Sequence, residues 1–331
     1  MTSPFTIEEI YPDDAAGMVR LPRRQSGSAP QGMAVTLLAD YTLQSRAWLP
    51  SAAIVALLAE SGISPAGART AISRLARRDV LEGSQQGRNR SYRLTLPVAD
   101  HLSVGGRWVV SSALRTASWD GSWTLIAFSL PQEEGTQRRS LRGQLRWLGY
   151  APLYDGLWVS PHGLTSRART GLGEVRFGGL TVFRAQHVAI AATIGRDPIS
   201  AWDVAAIASR YETFLRCWRP LVNRIRKGRV TGSEAVQART EVMDTYRRFP
   251  FLDPQLPLEL LPSGWLREPA REVFVAVYDG LAEAAQAHVR AVAGRFGGAE
   301  QDVRAHTTAD LVSGVRLVSS RSRATSGVLR S

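Results

Sequence analysis

Cysteine and lysine are nearly missing from this 331-residue chain: Cys217 is the single cysteine, and Lys227 the single lysine among 41 basic residues. One cysteine excludes an internal disulfide framework and a cysteine-based zinc site, and it fits a reducing, cytoplasmic setting. The arginine bias reads as the coding habit of a GC-rich genome, not as chemistry. No uninterrupted apolar run approaches the roughly 20 residues that a membrane helix needs. The amino terminus carries Glu8, Glu9, Asp13 and Asp14 where a signal peptide would have its apolar core. Enzyme signatures are missing too. The five histidines (His101, His162, His187, His288, His306) are scattered, with no H-E-x-x-H spacing. No G-x-S-x-G elbow occurs. Gly171 and Gly173 start a dinucleotide-like loop, but Arg176 stands where its third glycine belongs, and the lone lysine precedes Gly228, so there is no P-loop.

What is present is a basic, foldable chain. Apolar residues make up 44% and charged residues 21%, enough to bury real cores, and the length suggests two or three domains. The 41 basic residues outnumber the 29 acidic ones, giving a formal charge of +12 and a pI near 10.8, so the surface attracts polyanions.

Residues 1–30 mix Pro, Gly, Ser and charge and read as a flexible arm, and residues 295–331 are Ser/Thr/Arg-rich and read as a disordered tail. Residues 31–97 read helix, helix, helix, hairpin. Apolar spacing marks helices around Met33–Tyr41 and Ala52–Leu58. A third helix starts at Ser64 and Pro65, a cap hydroxyl followed by proline at the first helical position. Short strands are expected at Asp79–Gly83 and Ser91–Leu96, joined by a loop over 84–90. The next block, 98–196, has strand patterns at Trp123–Leu130, Leu157–Ser160 and Leu180–Ile190 and a helix at Gln137–Leu148. This predicts a ferredoxin-like βαββαβ unit whose Trp119, Trp123 and Trp158 fill a core. Residues 197–294 read as helical, with one face through Ile207, Tyr211, Phe214, Trp218, Leu221 and Ile225 kinked or broken near Pro220. A last helix is expected from Glu268 to Ala293. Cys217, inside that aromatic stretch, reads as a small buried hydrophobe.

The Ser64–Arg78 helix carries the main functional signal. Ala68, Ile72 and Leu75 fall at i, i+4 and i+7 and would anchor it, leaving Arg69, Thr70, Ser73, Arg74 and Arg77 to point outward. Arginine forks pair with guanine edges or phosphates, and hydroxyls bond either, so this is the chemistry of a major-groove reader. Between Ala66 and Thr95 lie seven arginines against Asp79 and Glu82, a local charge of 7 − 2 = +5. The hairpin adds Arg88 and Arg90 where a wing would cross a phosphate backbone. A solvated basic face on a helical bundle is the plainer alternative, and the ordered set of elements favours DNA reading.

Three stretches resemble the PaaX family, bacterial repressors named for control of phenylacetic acid degradation. They are Gly62–Arg78; Trp119–Trp123 with the arginine-rich helix and Gly156–Pro161; and Tyr246–Pro250 with Asp253, Pro254, Leu256, Pro257 and Leu260–Trp265. The resemblance covers residues 31–294. It implies an α+β multidomain protein: an N-terminal winged helix, a central ferredoxin-like domain akin to small CRISPR adaptation proteins and serving dimerisation, and a helical C-terminal domain for effector sensing. It also implies a homodimeric repressor of an aromatic or acyl-CoA catabolic operon, released by an acyl-CoA or aryl-CoA thioester and needing no cofactor. Two subunits would read an inverted repeat in double-stranded DNA.

Arg247 and Arg248, beside Phe249 and with Trp265 nearby, are the effector-site candidates, since paired guanidiniums against aromatic walls can bind an acidic aromatic ligand. Alternatively they pin the proline-rich loop through Asp253 and Glu241. Arg224–Arg229 could hold CoA phosphates or form a solvated helix end, and the helix end is favoured. A metal-dependent phosphodiesterase built on the central domain is the competing function. Ser129 stands where related nucleases carry a metal-binding aspartate, and Asp120, Glu133, Glu134 and Asp155 lack a recognisable ligand spacing, so no metal site and no enzyme are predicted.

Overall fold

The computed structural model describes residues 30–314 except 88, 113–117, 130–140, 147, 165–168, 170–178 and 191–194. The described chain forms two compact units that interleave in sequence. One comprises residues 30–111, 218–245 and 272–314; the other comprises 112–217 and 246–271.

The first unit opens with α1 (Pro30–Thr42), β1 (Leu49–Pro50), α2 (Ser51–Glu60), α3 (Pro65–Arg77), β2 (Leu81–Gln86), β3 (Asn89–Leu94) and α4 (Leu96–Ser111). Each early helix buries one apolar stripe: Ala34, Leu37, Leu38 and Tyr41 from α1, and Ala53, Ile54, Leu57 and Leu58 from α2. α3 packs on both. The strands pair antiparallel in the order β1-β3-β2. Their ladder runs from Leu81↔Leu94 to Gln86↔Asn89, so the loop expected over 84–90 is instead mostly strand. A two-residue connection with Gly87 at φ 60° makes so tight a reversal possible. The twofold-spaced Tyr92 and Leu94 are buried while Arg90 stays exposed.

The same unit takes in parts of α5 (Val204–Arg226), α6 (Gly232–Tyr246) and α8 (Arg267–Tyr278), together with α9 (Ala282–Arg295) and α10 (Thr308–Ser313). α5 runs unbroken through Pro220, where a kink or break was expected. The single helix expected over 268–293 is two, parted near Gly280, where an added Cβ would meet the Ala276 carbonyl oxygen at 2.4 Å. Residues 300–314 are ordered, within the stretch expected to be a disordered tail. Val303, His306 and Leu311 are buried there, and α10 begins with a reciprocal capping box between Thr307 and Asp310. Asp279 completes that start, accepting from the Thr308 amide at 2.8 Å and its hydroxyl at 2.7 Å.

The second unit is built on β4 (Ser122–Ser129), β5 (Ala151–Tyr154), β6 (Leu157–Ser160) and β7 (Gly179–Gln186), all antiparallel in the order β5-β6-β4-β7, and also holds the short helix α7 (Phe249–Leu252). The third strand inserts between first and second, and the fourth lies outside the first, which is the order a βαββαβ chain produces. Helical residues 141–146 cover one face, where Leu141 and Leu145 pack with Ile126, Tyr150 and Trp158. The second helix of such a unit would fall on 165–178, mostly outside the described residues. Trp123 is buried and stacks on Trp202, with ring centres 6.2 Å apart. β7 is shorter than expected: residues 187–190 continue exposed, outside the ladder.

Candidate nucleic-acid interface

α3 is fixed at its start by its own sequence. The Ser64 hydroxyl accepts the Gly67 amide at 3.1 Å, and Pro65 occupies the first helical position, where a missing N–H costs nothing. Ala68, Ala71, Ile72 and Leu75 are then buried against α1 and α2. Burying Ile72 and Leu75 contributes about 1.5–3 kcal/mol each, enough to stop the helix rolling about its axis. The opposite side presents Arg69, Thr70, Ser73, Arg74 and Arg77, all exposed. Thirteen residues at 1.5 Å each make a rod of about 20 Å. Two arginines, Arg74 and Arg77, fall in its last turn, where cations also suit the helix dipole.

The hairpin after α3 is braced by a shared carboxylate. Glu82 pairs with Arg93 at 2.8 Å and with the buried Arg46, whose guanidinium also reaches the Leu94 carbonyl. Arg93 lies over the Trp48 ring at 4.2 Å. Burial and the adjacent Arg93 charge lower the Arg46 pKa, and Glu82 opposes them. Arg46 and Arg93 are therefore committed to the sheet, whereas Arg90 is exposed beside the Tyr92 ring at 5.2 Å. Arg88 lies outside the described residues. Five of the seven predicted interface residues thus share one helix face, and Arg90 stands on the hairpin that follows it.

The four effector-site candidates belong to residues 246–271 of the sheet unit. Asp253, with a fully buried side chain, is the hub of that region. It accepts from Tyr211 Oη at 3.0 Å, Trp265 Nε1 at 2.8 Å, Arg267 Nε at 2.8 Å and Nη2 at 2.5 Å, and the Leu256 amide at 3.2 Å. Phe249 stacks on Tyr211 with ring centres 4.1 Å apart and planes 6° off parallel. Burial, with the Asp253 charge next, pushes the Tyr211 phenol far above its usual range. Phe249 and Trp265 are thus parts of an anchored wall. The partner that pins Asp253 is Arg267, fourteen residues on, and no local spacing in the sequence singles that pair out. Arg247 and Arg248 are half-buried, and burial lowers the Arg248 pKa.

One further expectation is corrected. Cys217 is exposed: it sits about 100° round the helix from the buried Trp218, off the apolar stripe. In Arg224–Arg229, Arg224 bonds both oxygens of Glu234 at 2.7 and 3.0 Å. Asp120 is held by Arg184, whose Nη2 lies 2.7 Å from each carboxylate oxygen, and Asp155 by Arg142 at 2.6 Å. Ser129 ends β4 exposed, and Glu133 and Glu134 lie outside the described residues. Among the described residues no group of three or more acidic, histidine or cysteine side chains could hold a metal ion, and no helix is long and apolar enough to cross a membrane.

Comparison with known proteins bears directly on this arrangement. Residues 29–97 match the model of PaaX-like proteins, 116–194 that of the PaaX central Cas2-like domain, and 202–291 that of the PaaX-like C-terminal domain. The transcriptional repressor PaaX of Escherichia coli strain K12 is 31% identical over 253 residues, which span 73% of this chain and 76% of that protein. The chain belongs to the PaaX family. All three matched regions are PaaX regions, and no catalytic family is indicated. An uncharacterized protein from Mycobacterium tuberculosis, Rv0674, shares the fold: TM-score 0.50 at 19% identity, covering 78% of this chain and 98% of that one. The Cas2-like match coincides with the four-stranded sheet unit, and the match over 29–97 ends as β3 gives way to α4.

Proposed function

We propose that this PaaX-family chain is a ligand-responsive transcription regulator, a repressor, in which residues 31–97 form a winged helix and α3 enters the major groove of operator DNA. The observation that carries the reading is the single exposed face bearing Arg69, Thr70, Ser73, Arg74 and Arg77 on a helix whose opposite face is buried. Arg88 and Arg90 on the hairpin would follow the adjoining phosphate backbone. The E. coli relative is a repressor by name, which supports the same reading here. We further propose a homodimer formed through the central domain, so that the operator is an inverted repeat. The ligand would be an aryl-CoA or other acyl-CoA thioester. Arg247 and Arg248 would meet its acidic portion, with Phe249 and Trp265 as the aromatic wall beside them.

Selecting bound fragments from genomic DNA with the full-length protein tests this. The expected result is a recovered inverted repeat beside a catabolic operon, with half-sites whose centres lie about one helical turn, or a multiple of it, apart. Recovery of fragments with no shared sequence would overturn the reading.

A further inference from the structure

No residue outside 31–97 is needed to form the face of α3, yet helix α6 grips the scaffold beneath it at two places. We propose that Glu60, Gln237 and Arg239 are positioning residues for DNA recognition: through them α6 fixes α1 and α2, and so the attitude at which α3 meets a duplex. This rests on the reading of α3 as the DNA-reading helix.

The first grip is at the end of α2. Gln237 Nε2 donates to the Glu60 carbonyl oxygen, and His288 Nε2 on α9 lies 2.8 Å from Glu60 Oε2. Both Glu60 and His288 are largely buried, at 26% and 21% side-chain exposure. Only three residues separate Glu60 from the Ser64 cap of α3. That turn is tight: Gly62 has φ 79°, and the Ile63 amide bonds back to Leu58 O at 3.2 Å. A displacement of Glu60 has little chain in which to dissipate before it reaches the start of α3.

The second grip is at the end of α1, where the last helical carbonyls lack partners within the helix. The Tyr41 and Asp40 carbonyls accept the amides of Arg304, at 2.9 Å, and His306, at 3.3 Å. Arg239 locks that crossing. Its side chain has no exposed surface, and its two terminal nitrogens donate to the Tyr278 and His306 carbonyls. The guanidinium carbon lies 3.7 Å from the Tyr278 ring centre and 5.8 Å from that of Tyr41, and Tyr278 Oη donates to Asp40 Oδ1 at 2.8 Å. A fork-shaped cation engaged at both prongs and stacked on a ring has no second arrangement nearby. Gln237 and Arg239 stand two positions apart, so they leave α6 on different sides and tie separate helices. None of the three contributes to the exposed face of α3.

The test uses the full-length protein, the duplex selected from genomic DNA and a scrambled duplex. Two variants are compared with the native chain: Arg239→Lys, which keeps the charge and loses the fork, and the pair Glu60→Gln with Gln237→Ala. We expect each to bind the selected duplex about tenfold more weakly, the size of a typical coupling between sites. Affinity for scrambled DNA should stay within twofold, with the same slope of log affinity against log salt, because no phosphate contact is lost. Unchanged selectivity in folded variants overturns the proposal. So does an equal loss on both duplexes or a shallower salt slope, since those mark general unfolding or a direct phosphate contact. Should Arg239→Lys not fold, the Glu60/Gln237 pair, at a less buried contact, decides alone. A native chain that fails to prefer the selected duplex overturns the DNA-reading assignment itself, a result distinct from equal selectivity in native and variant chains.

Discussion

His306 is an imidazole kept dry. It is 1% exposed, neither ring nitrogen bonds a protein group, and burial, then the Arg239 and Arg304 charges, lowers its pKa from 6.5 to about 4, with Asp310 opposing. The folded state therefore binds fewer protons at this site than the unfolded chain does at mildly acidic pH. Its contribution is complete above pH 6.5 and declines as pH falls from 6.5 toward 4. Between pH 7.5 and 5 the loss from this group comes to about 2 kcal/mol, at 1.36 kcal/mol per pH unit. Urea unfolding at those two pH values should show the native protein losing about that much more than His306→Leu. Equal losses would mean that the site does not stay neutral. Asp253 meets burial differently: its carboxylate accepts hydrogen bonds from Arg267 and three further donors, the partners a buried polar group needs.

Among the described elements, β7 is notably exposed. It is one of the two edges of its sheet, Phe183 on it is 53% exposed, and Val188 and Ile190 just beyond are 78% and 58% exposed. An eight-residue edge strand with apolar side chains is a pairing liability unless something covers it. In a homodimer the second copy would do so. Phe183→Arg should convert the protein to a monomer by light scattering and weaken binding to a full inverted repeat far more than to one half-site; a variant still dimeric would place the dimer interface elsewhere. How much of the fold could be read in advance follows from the same physics. α3 was legible because Ser64, Pro65 and the Ala68–Ile72–Leu75 stripe are local signals that agree. β1, of two residues, is too short to carry a period, and only pairing with β3 makes it a strand. The break at Gly280 and the ordering of residues 300–314 depend on contacts distant in sequence, such as Asp279 with Thr308 and Arg304 with Tyr41. The exposed face of α3 was visible in the sequence; the Arg239 and Glu60 grips were not, because a buried arginine and an ordinary helix-end glutamate leave no pattern.

At the scale of the whole molecule, the helical C-terminal region divides between the two compact units. Residues 218–245 and 272–314 form one compact unit with residues 30–111, and residues 246–271 join the sheet unit. The +12 charge would supply unspecific attraction to DNA, and the α3 face the selectivity. The most direct test measures that division for Arg69→Ala/Arg74→Ala, with the exposed Arg295→Ala as control. Affinities for the selected and a scrambled duplex are compared at fixed salt. The account predicts that the double variant loses about 2–6 kcal/mol on the selected duplex, from two base contacts of about 1–3 kcal/mol each, and much less on the scrambled one, while Arg295→Ala keeps the native ratio. A double variant that retains the native preference for the selected duplex would contradict it.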